Sequence, residues 1–227
     1  MTIKYHPELI QGSDEWLAAR CGMLTASEMK LIITPSLKAA SNDKERSHLF
    51  ELMAQRVTGY VEPAYVSDDM LRGMADEVEA RILYAKHYAP VTDMGFITND
   101  RWGFTIGCSP DGLIGNDGML ECKSRRQKFQ VETIASGNMP ADYLIQVQTA
   151  LLVAEREWLD FVSYSGGLPM WTARVYPDVF VQAAIVEAAT AFEERLAAKL
   201  AHYRATLNDP AEKLIPTERR VEMEMHL

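Results

Sequence analysis

The segment from Ser109 to Lys123 constrains this chain most. Asp111-Gly112-Leu113-Ile114 and Met119-Leu120-Glu121-Cys122-Lys123 flank Gly115-Asn116-Asp117-Gly118. Asn and Asp beside Gly tolerate the positive φ angles of a hairpin turn, so the spacing predicts two antiparallel strands. Side chains alternate along a strand. Glu121 and Lys123 then share one face, Cys122 takes the other, and Asp111 lies at the mouth of the partner strand. Two carboxylates that meet repel each other unless a cation lies between them. Hard oxygen ligands favour Mg²⁺ or Mn²⁺ over zinc. An ion so held, with an amine to orient its water, is what phosphodiester hydrolysis requires. The spacing leaves the plainer alternative open: an E-x-K triplet is also common on an exposed strand.

The flanking sequence predicts a mixed central sheet flanked by helices, an α/β (α+β) architecture. Helix starts are read at Ser13-Asp14-Glu15 and at Thr25-Ala26-Ser27-Glu28, the second ended by Pro35. Residues 43 to 57 form an amphipathic helix with Leu49, Leu52, Met53 and Val57 on one side. Another helix begins near Ser67 and carries Met70, Met74, Val78, Ile82 and Ala85 at helical spacing, which reads as a core stripe. Phe96, Ile97, Trp102, Phe104 and Ile106 lie in short runs that read as strands joined by a tight turn. A helix follows from about 140 to 155. Two strands come next, Trp158 to Ser163 and Trp171 to Tyr176. A long helix opened by Asp178 carries Ile185, Ala189, Phe192, Leu196, Leu200 and Tyr203 inward. Residues 1–227 read as one domain with a polar tail from about 208.

Composition narrows the functional classes. Hydrophobic residues make up 48% and charged residues 24%, an ordinary globular balance. No apolar run reaches the roughly 18 residues of a membrane span. The beginning of the chain carries no apolar export signal. Cys21, Cys108 and Cys122 are odd in number and lack CxxC spacing, which fits a reduced, cytoplasmic protein. The net charge of −9 argues against simple coating of nucleic acid. The local run Lys123-Ser124-Arg125-Arg126-Gln127-Lys128 is basic, and by itself reads as a solvated loop or helix start.

Five ordered motifs resemble a known family. Asp14-Glu15-Trp16 with Arg20 and Thr25-Ala26-Ser27-Glu28 is similar to its N-terminal motif. Gly73 with Glu77 and Ala80-Arg81 resembles its helix with a further acid. Cys108-Ser109-Pro110-Asp111-Gly112 and Leu120-Glu121-Cys122-Lys123 match the central pair, and Gln146-Val147-Gln148 a late helical motif. The family is that of YqaJ-type viral recombinases, which includes phage lambda exonuclease, within the PD-(D/E)XK nuclease superfamily. The resemblance runs from about residue 14 to 155.

The resemblance implies a 5′→3′ exonuclease on linear double-stranded DNA that releases mononucleotides and leaves a 3′ single strand for annealing-type recombination. Mg²⁺ is the implied cofactor, with Mn²⁺ the alternative, as two ions. Asp111, Glu121 and Glu77 would hold metal, with the Cys122 carbonyl as a further ligand. Lys123 and Gln146 would act on the water or phosphate. Arg20, Ser27 and Ser109 would bind the 5′ phosphate. Glu77 could equally pair with Arg81 one turn on, and Glu79 is the neighbouring alternative acid. Gln148 points roughly 200° away from Gln146 around the helix. Trp16 and Trp102 read as packing residues rather than base-stacking platforms. The implied partners are DNA ends, a single-strand annealing protein and two further copies in a homotrimeric ring, with no membrane. A PD-(D/E)XK endonuclease of restriction or nickase type stands second. A non-catalytic DNA-binding scaffold stands third.

Overall fold

The computed structural model describes residues 2–63 and 67–219. Two four-stranded mixed sheets form the centre, joined by a bend at Ser109-Pro110. The first contains β1 (Ile3–His6), β2 (Leu24–Thr25), β3 (Phe96–Asn99) and β4 (Ile106–Cys108) in the order β1-β3-β4-β2. The second contains β5 (Gly112–Ile114), β6 (Gly118–Ser124), β7 (Trp158–Tyr164) and β8 (Trp171–Val175) in sequence order. β5 and β6 form the expected antiparallel hairpin, with Gly112 opposite Leu120. Its turn carries Gly115 at φ +53. β6 and β7 run parallel over their whole length, with Glu121 beside Phe161 and Lys123 beside Ser163.

A parallel neighbour requires a crossover connection. Here it is α4 (Gln127–Ser136) followed by α5 (Leu144–Ala154), so the basic run after Lys123 leads into a helix. α5 is the most buried helix, with Ile145, Val147, Ala150, Leu151 and Val153 against the sheets. Across it lies α6 (Val179–Leu207), whose Ile185, Ala189, Phe192 and Leu196 are fully buried as their spacing predicts. Leu200 is partly buried and Tyr203 is exposed. α1 (Asp14–Arg20), α2 (Asp43–Thr58) and α3 (Asp68–His87) are capped by the side chains of Ser13, Asn42 and Ser67. On α2, Leu49, Leu52 and Met53 are buried, whereas Val57 is exposed.

Several expectations need correction. Thr25-Ala26-Ser27-Glu28 does not open an α-helix: Thr25 ends β2, and only a short 3₁₀ turn, Met29–Leu31, follows. The Thr25 hydroxyl bonds the Glu28 carboxylate at 2.6 Å, so the capping-box residues pair side chain to side chain. The α3 stripe is not core. Met70, Met74, Val78 and Ile82 are 50–58% exposed. Ala80 and Tyr84 instead meet Leu120, Cys122 and Val162 on the sheet. The Tyr84 hydroxyl donates to buried Asp160, which also takes Arg174. A small residue and a hydrogen-bonding phenol thus set the helix face, and the larger apolar side chains lie outward. Trp102 and Phe104 lie in the β3–β4 loop, partly buried against the core. The polar tail is exposed from Asn208 to residue 219, and the rest of it lies outside the described residues.

Candidate active site

The hairpin brings Asp111, Glu121 and Lys123 together as their spacing required. β5 pairs with β6 only as far as Leu120. Beyond it the near edge of β6 is free of β5, and there the Cys122 amide donates to the Asp111 carboxylate. N–H and C=O of one strand residue face the same side, so the Cys122 carbonyl borders Asp111 as well. The Cys122 side chain is buried against α3. Its thiol is pushed far up by burial and by the nearby Asp111, so it offers no thiolate. Gly112 is required beside Asp111, since a Cβ there would lie 2.2 Å from Val91 Cγ1.

Glu121 is 3% exposed. One carboxylate oxygen accepts from Lys123 Nζ at 2.5 Å and from Gln146 Nε2 at 2.5 Å. α5 therefore directs its first-turn Gln146 at the site. Gln148 is buried elsewhere, donating to the Tyr176 carbonyl and accepting from the Asp178 amide, where it fastens α6. Glu77 from α3 lines the same cavity as Asp111 and interacts with it. The competing pairing with Arg81 does not form, because Arg81 is paired with Asp93. Glu79 is exposed on the other side of α3.

The electrostatics follow from these contacts. Burial raises the Asp111 carboxyl well above its ordinary range, and the charges of Glu121 and Glu77 raise it further. Burial and Glu121 likewise raise Glu77, against the interaction with Asp111. Burial alone would lower Lys123, but Glu121 and Asp111 outweigh it and hold the amine charged. The donor set suits Mg²⁺ or Mn²⁺: crowded carboxylates, a backbone carbonyl and open cavity for retained waters. Among the described residues, no three Asp, Glu, His or Cys side chains already converge on one ion position. Mg²⁺ needs only one or two carboxylates, so this arrangement does not conflict with it.

A pH dependence follows. A carboxyl whose folded pKa is raised binds more protons folded than unfolded. Its contribution is favourable below the unfolded value of about 4 and is lost as pH rises through the folded value. A divalent ion reverses that loss by displacing the proton. Mg²⁺ should therefore raise Tm more at about pH 8 than at about pH 6. Thermal melts at the two pH values test this, and an equal gain at both would show that carboxylate crowding is not the cause.

The cavity at this site has a volume of about 200 Å³. Arg20, Ser27 and Ser109 line it together with Glu77, Asp111, Glu121, Lys123 and Gln146. Arg20 lies 4.1 Å over the Trp16 ring and 3.9 Å from Glu28. Burial lowers its pKa. Trp16 donates to the Ser109 hydroxyl at 2.9 Å. Sequence reasoning treated Trp16 as packing; it orients both Arg20 and Ser109. Gln11 was missed. Its amide bonds the Pro110 carbonyl at 3.2 Å, holding the loop before α1 against the bend. A contact across 99 residues leaves no periodic trace in sequence. Beside the site opens an apolar cleft of about 620 Å³, with Ile10, Met74, Val78 and Met94 in its walls.

A bent strand that delivers Asp111, a neighbouring strand with Glu121 and Lys123, and flanking helices with Glu77 and Gln146 define a core of the PD-(D/E)XK type. The chain belongs to the YqaJ-like viral recombinase domain family, whose model matches residues 15–157. It is similar to an alkaline exonuclease of Laribacter hongkongensis, LHK-Exo, with 31% identity over 86% of this chain and 98% of that one, at a TM-score of 0.77. The same enzyme in complex with dAMP matches at 30% identity over 86% and 98%, with a TM-score of 0.70. A phage-related exonuclease of Haemophilus somnus 129PT shares the fold at 16% identity over 78% and 96%, with a TM-score of 0.51. No curated protein matches the chain significantly. No helix among the described residues is long and apolar enough to cross a membrane.

Proposed function

We propose that the protein is a metal-dependent 5′→3′ exonuclease on linear duplex DNA that releases mononucleotides, with residues 1–227 as one nuclease domain. The observation that carries this reading is the shared cavity. A cation and two hydroxyls line the same cavity as the carboxylates and the lysine. A strand end entering there would set its terminal phosphate toward Arg20, Ser27 and Ser109. The similarity to an exonuclease crystallised with dAMP supports a mononucleotide product.

Asp111 and Glu121, with Glu77 and the Cys122 carbonyl, would hold Mg²⁺ or Mn²⁺, as two ions. The metal supplies an acidified water and neutralises phosphate charge. Lys123, held as an ammonium, donates to that water or to a phosphate oxygen. Gln146 fixes the Glu121 carboxylate and can pass its amide to the substrate. Arg20 presents a planar fork to the phosphate, preset by Trp16. The 3′ strand left behind suits a single-strand annealing protein. A homotrimeric ring would keep the acidic chain on DNA, in the cytoplasm of a bacterial host.

The test uses linear duplexes that differ only in a 5′ phosphate or 5′ hydroxyl. A charge-assisted bond contributes about 1.5–3 kcal/mol, or about one to two orders of magnitude in rate. Phosphorylated ends should be digested faster by such a factor, and Arg20→Ala should narrow the gap. Equal initial rates at both ends would remove the phosphate pocket. Cleavage of closed circular DNA would favour the endonuclease reading.

A further inference from the structure

The basic run after Lys123 divides into two unlike halves. Arg126 is paired with Asp69 at 2.7 Å, and Arg72 joins the same carboxylate at 2.8 Å. Their charge is spent within the protein. Arg125 and Lys128 form no ion pair among the described residues. Arg125 instead sits in an aromatic cage, 5.0 Å from the Phe129 ring and 5.5 Å from the Tyr143 ring, and donates to the Tyr143 hydroxyl at 3.0 Å. Its Nε is buried without a partner. Lys128 lies 4.5 Å from the same Phe129 ring. A protein of net charge −9 has carboxylates to spare, yet these two cations lack them.

Their placement relative to the site is specific. The Arg125 amide still bonds the Tyr164 carbonyl at 2.7 Å, so the β6 ladder continues through it. Arg125 therefore follows Lys123 by two residues on the same face, and Lys123 Nζ lies 5.7 Å from the same Tyr143 ring. Two strand residues advance about 6.6 Å, which is of the order of the separation between successive phosphates on an extended strand. We propose that Arg125 binds the backbone phosphate adjacent to the scissile one, with Lys128 reinforcing it and Tyr143 holding the guanidinium flat. Packed rings fix the fork in advance, so little rotamer freedom is lost when the phosphate arrives. This subsite rests on the proposed nuclease reading and adds a second phosphate contact beyond the Arg20 group.

The experiment measures binding of 5′-phosphorylated duplex without divalent metal, as a function of salt, for wild type, Arg125→Ala, Arg125→Lys and Arg126→Ala. Arg125→Ala should weaken binding about tenfold or more and reduce the salt slope by about one. Arg125→Lys, which retains charge without the fork, should recover part of the affinity and the full slope. Arg126→Ala, whose guanidinium is engaged by Asp69, should change both less than Arg125→Ala does. Neutral methylphosphonates placed singly along the linkages nearest the 5′ end then locate the contact. At one internal linkage the modification should weaken wild type but not Arg125→Ala. Additive losses at every linkage, or an unchanged salt slope, overturn the proposal. Wild-type digestion of linear duplex with Mg²⁺ is measured alongside. Its absence would remove the nuclease reading itself, while a phosphate contact at Arg125 would still register in the binding data.

Discussion

Asp111→Asn and Glu121→Gln should each reduce cleavage of linear duplex DNA by about a thousandfold or more. The metal's charge stabilisation is worth several kcal/mol in such reactions, and each of these isosteres withdraws a carboxylate from it. Isosteres are preferred to alanine because Asp111 also accepts the buried Cys122 amide. An unpaired amide there would cost about 1–3 kcal/mol and confuse loss of site with loss of fold. Asparagine keeps an acceptor and removes a charge that Glu121 and Glu77 both oppose. Metal-free Asp111→Asn should therefore melt at or above the wild-type Tm. Rates within a few fold of wild type for either variant would remove the central assignment.

Lys123→Ala should lower turnover by about 10²–10³-fold, the usual cost of removing one preorganised donor to developing charge, while metal and DNA binding persist. Lys123 bonds Glu121 at 2.5 Å, and an ammonium is not itself a metal ligand. Its charge offsets crowded carboxylates, so its removal should raise the affinity for Mn²⁺ slightly in calorimetry. A collapse of metal affinity with normal single-turnover chemistry at saturating metal would show instead that Lys123 organises the ligands and does not act on the reacting atoms.

Much of the site was legible because it is local. Glu121 and Lys123 share a face by strand alternation alone, and the Gly115–Gly118 turn sets Asp111 against them. The long helix after Asp178 was equally plain, since its stripe is buried along most of its length. Other elements were not legible. β1 is four residues long, with an intermediate-exposed-exposed-intermediate pattern that carries no period-two signal. α4 begins in a charged run with neither a cap side chain nor an acid in its first turn.

The sequence by itself determined which residues could do chemistry: the acids, the lysine and the glutamine stand in short motifs whose geometry follows from backbone period. Only the tertiary structure decided what surrounds them. It turned the Met70–Ile82 stripe of α3 outward, because Ala80 and the Tyr84–Asp160 bond claimed the sheet. It brought Gln11 and Trp16 to the bend at Ser109–Pro110, more than 90 residues away along the chain, and Arg20 stacks on that Trp16. It also separated the paired Arg126 from the caged Arg125, neighbours that composition treats alike. Local spacing encodes which groups share a face of one element. Which face is buried, and which cation finds a carboxylate, depends on elements distant in sequence and is settled only when they pack.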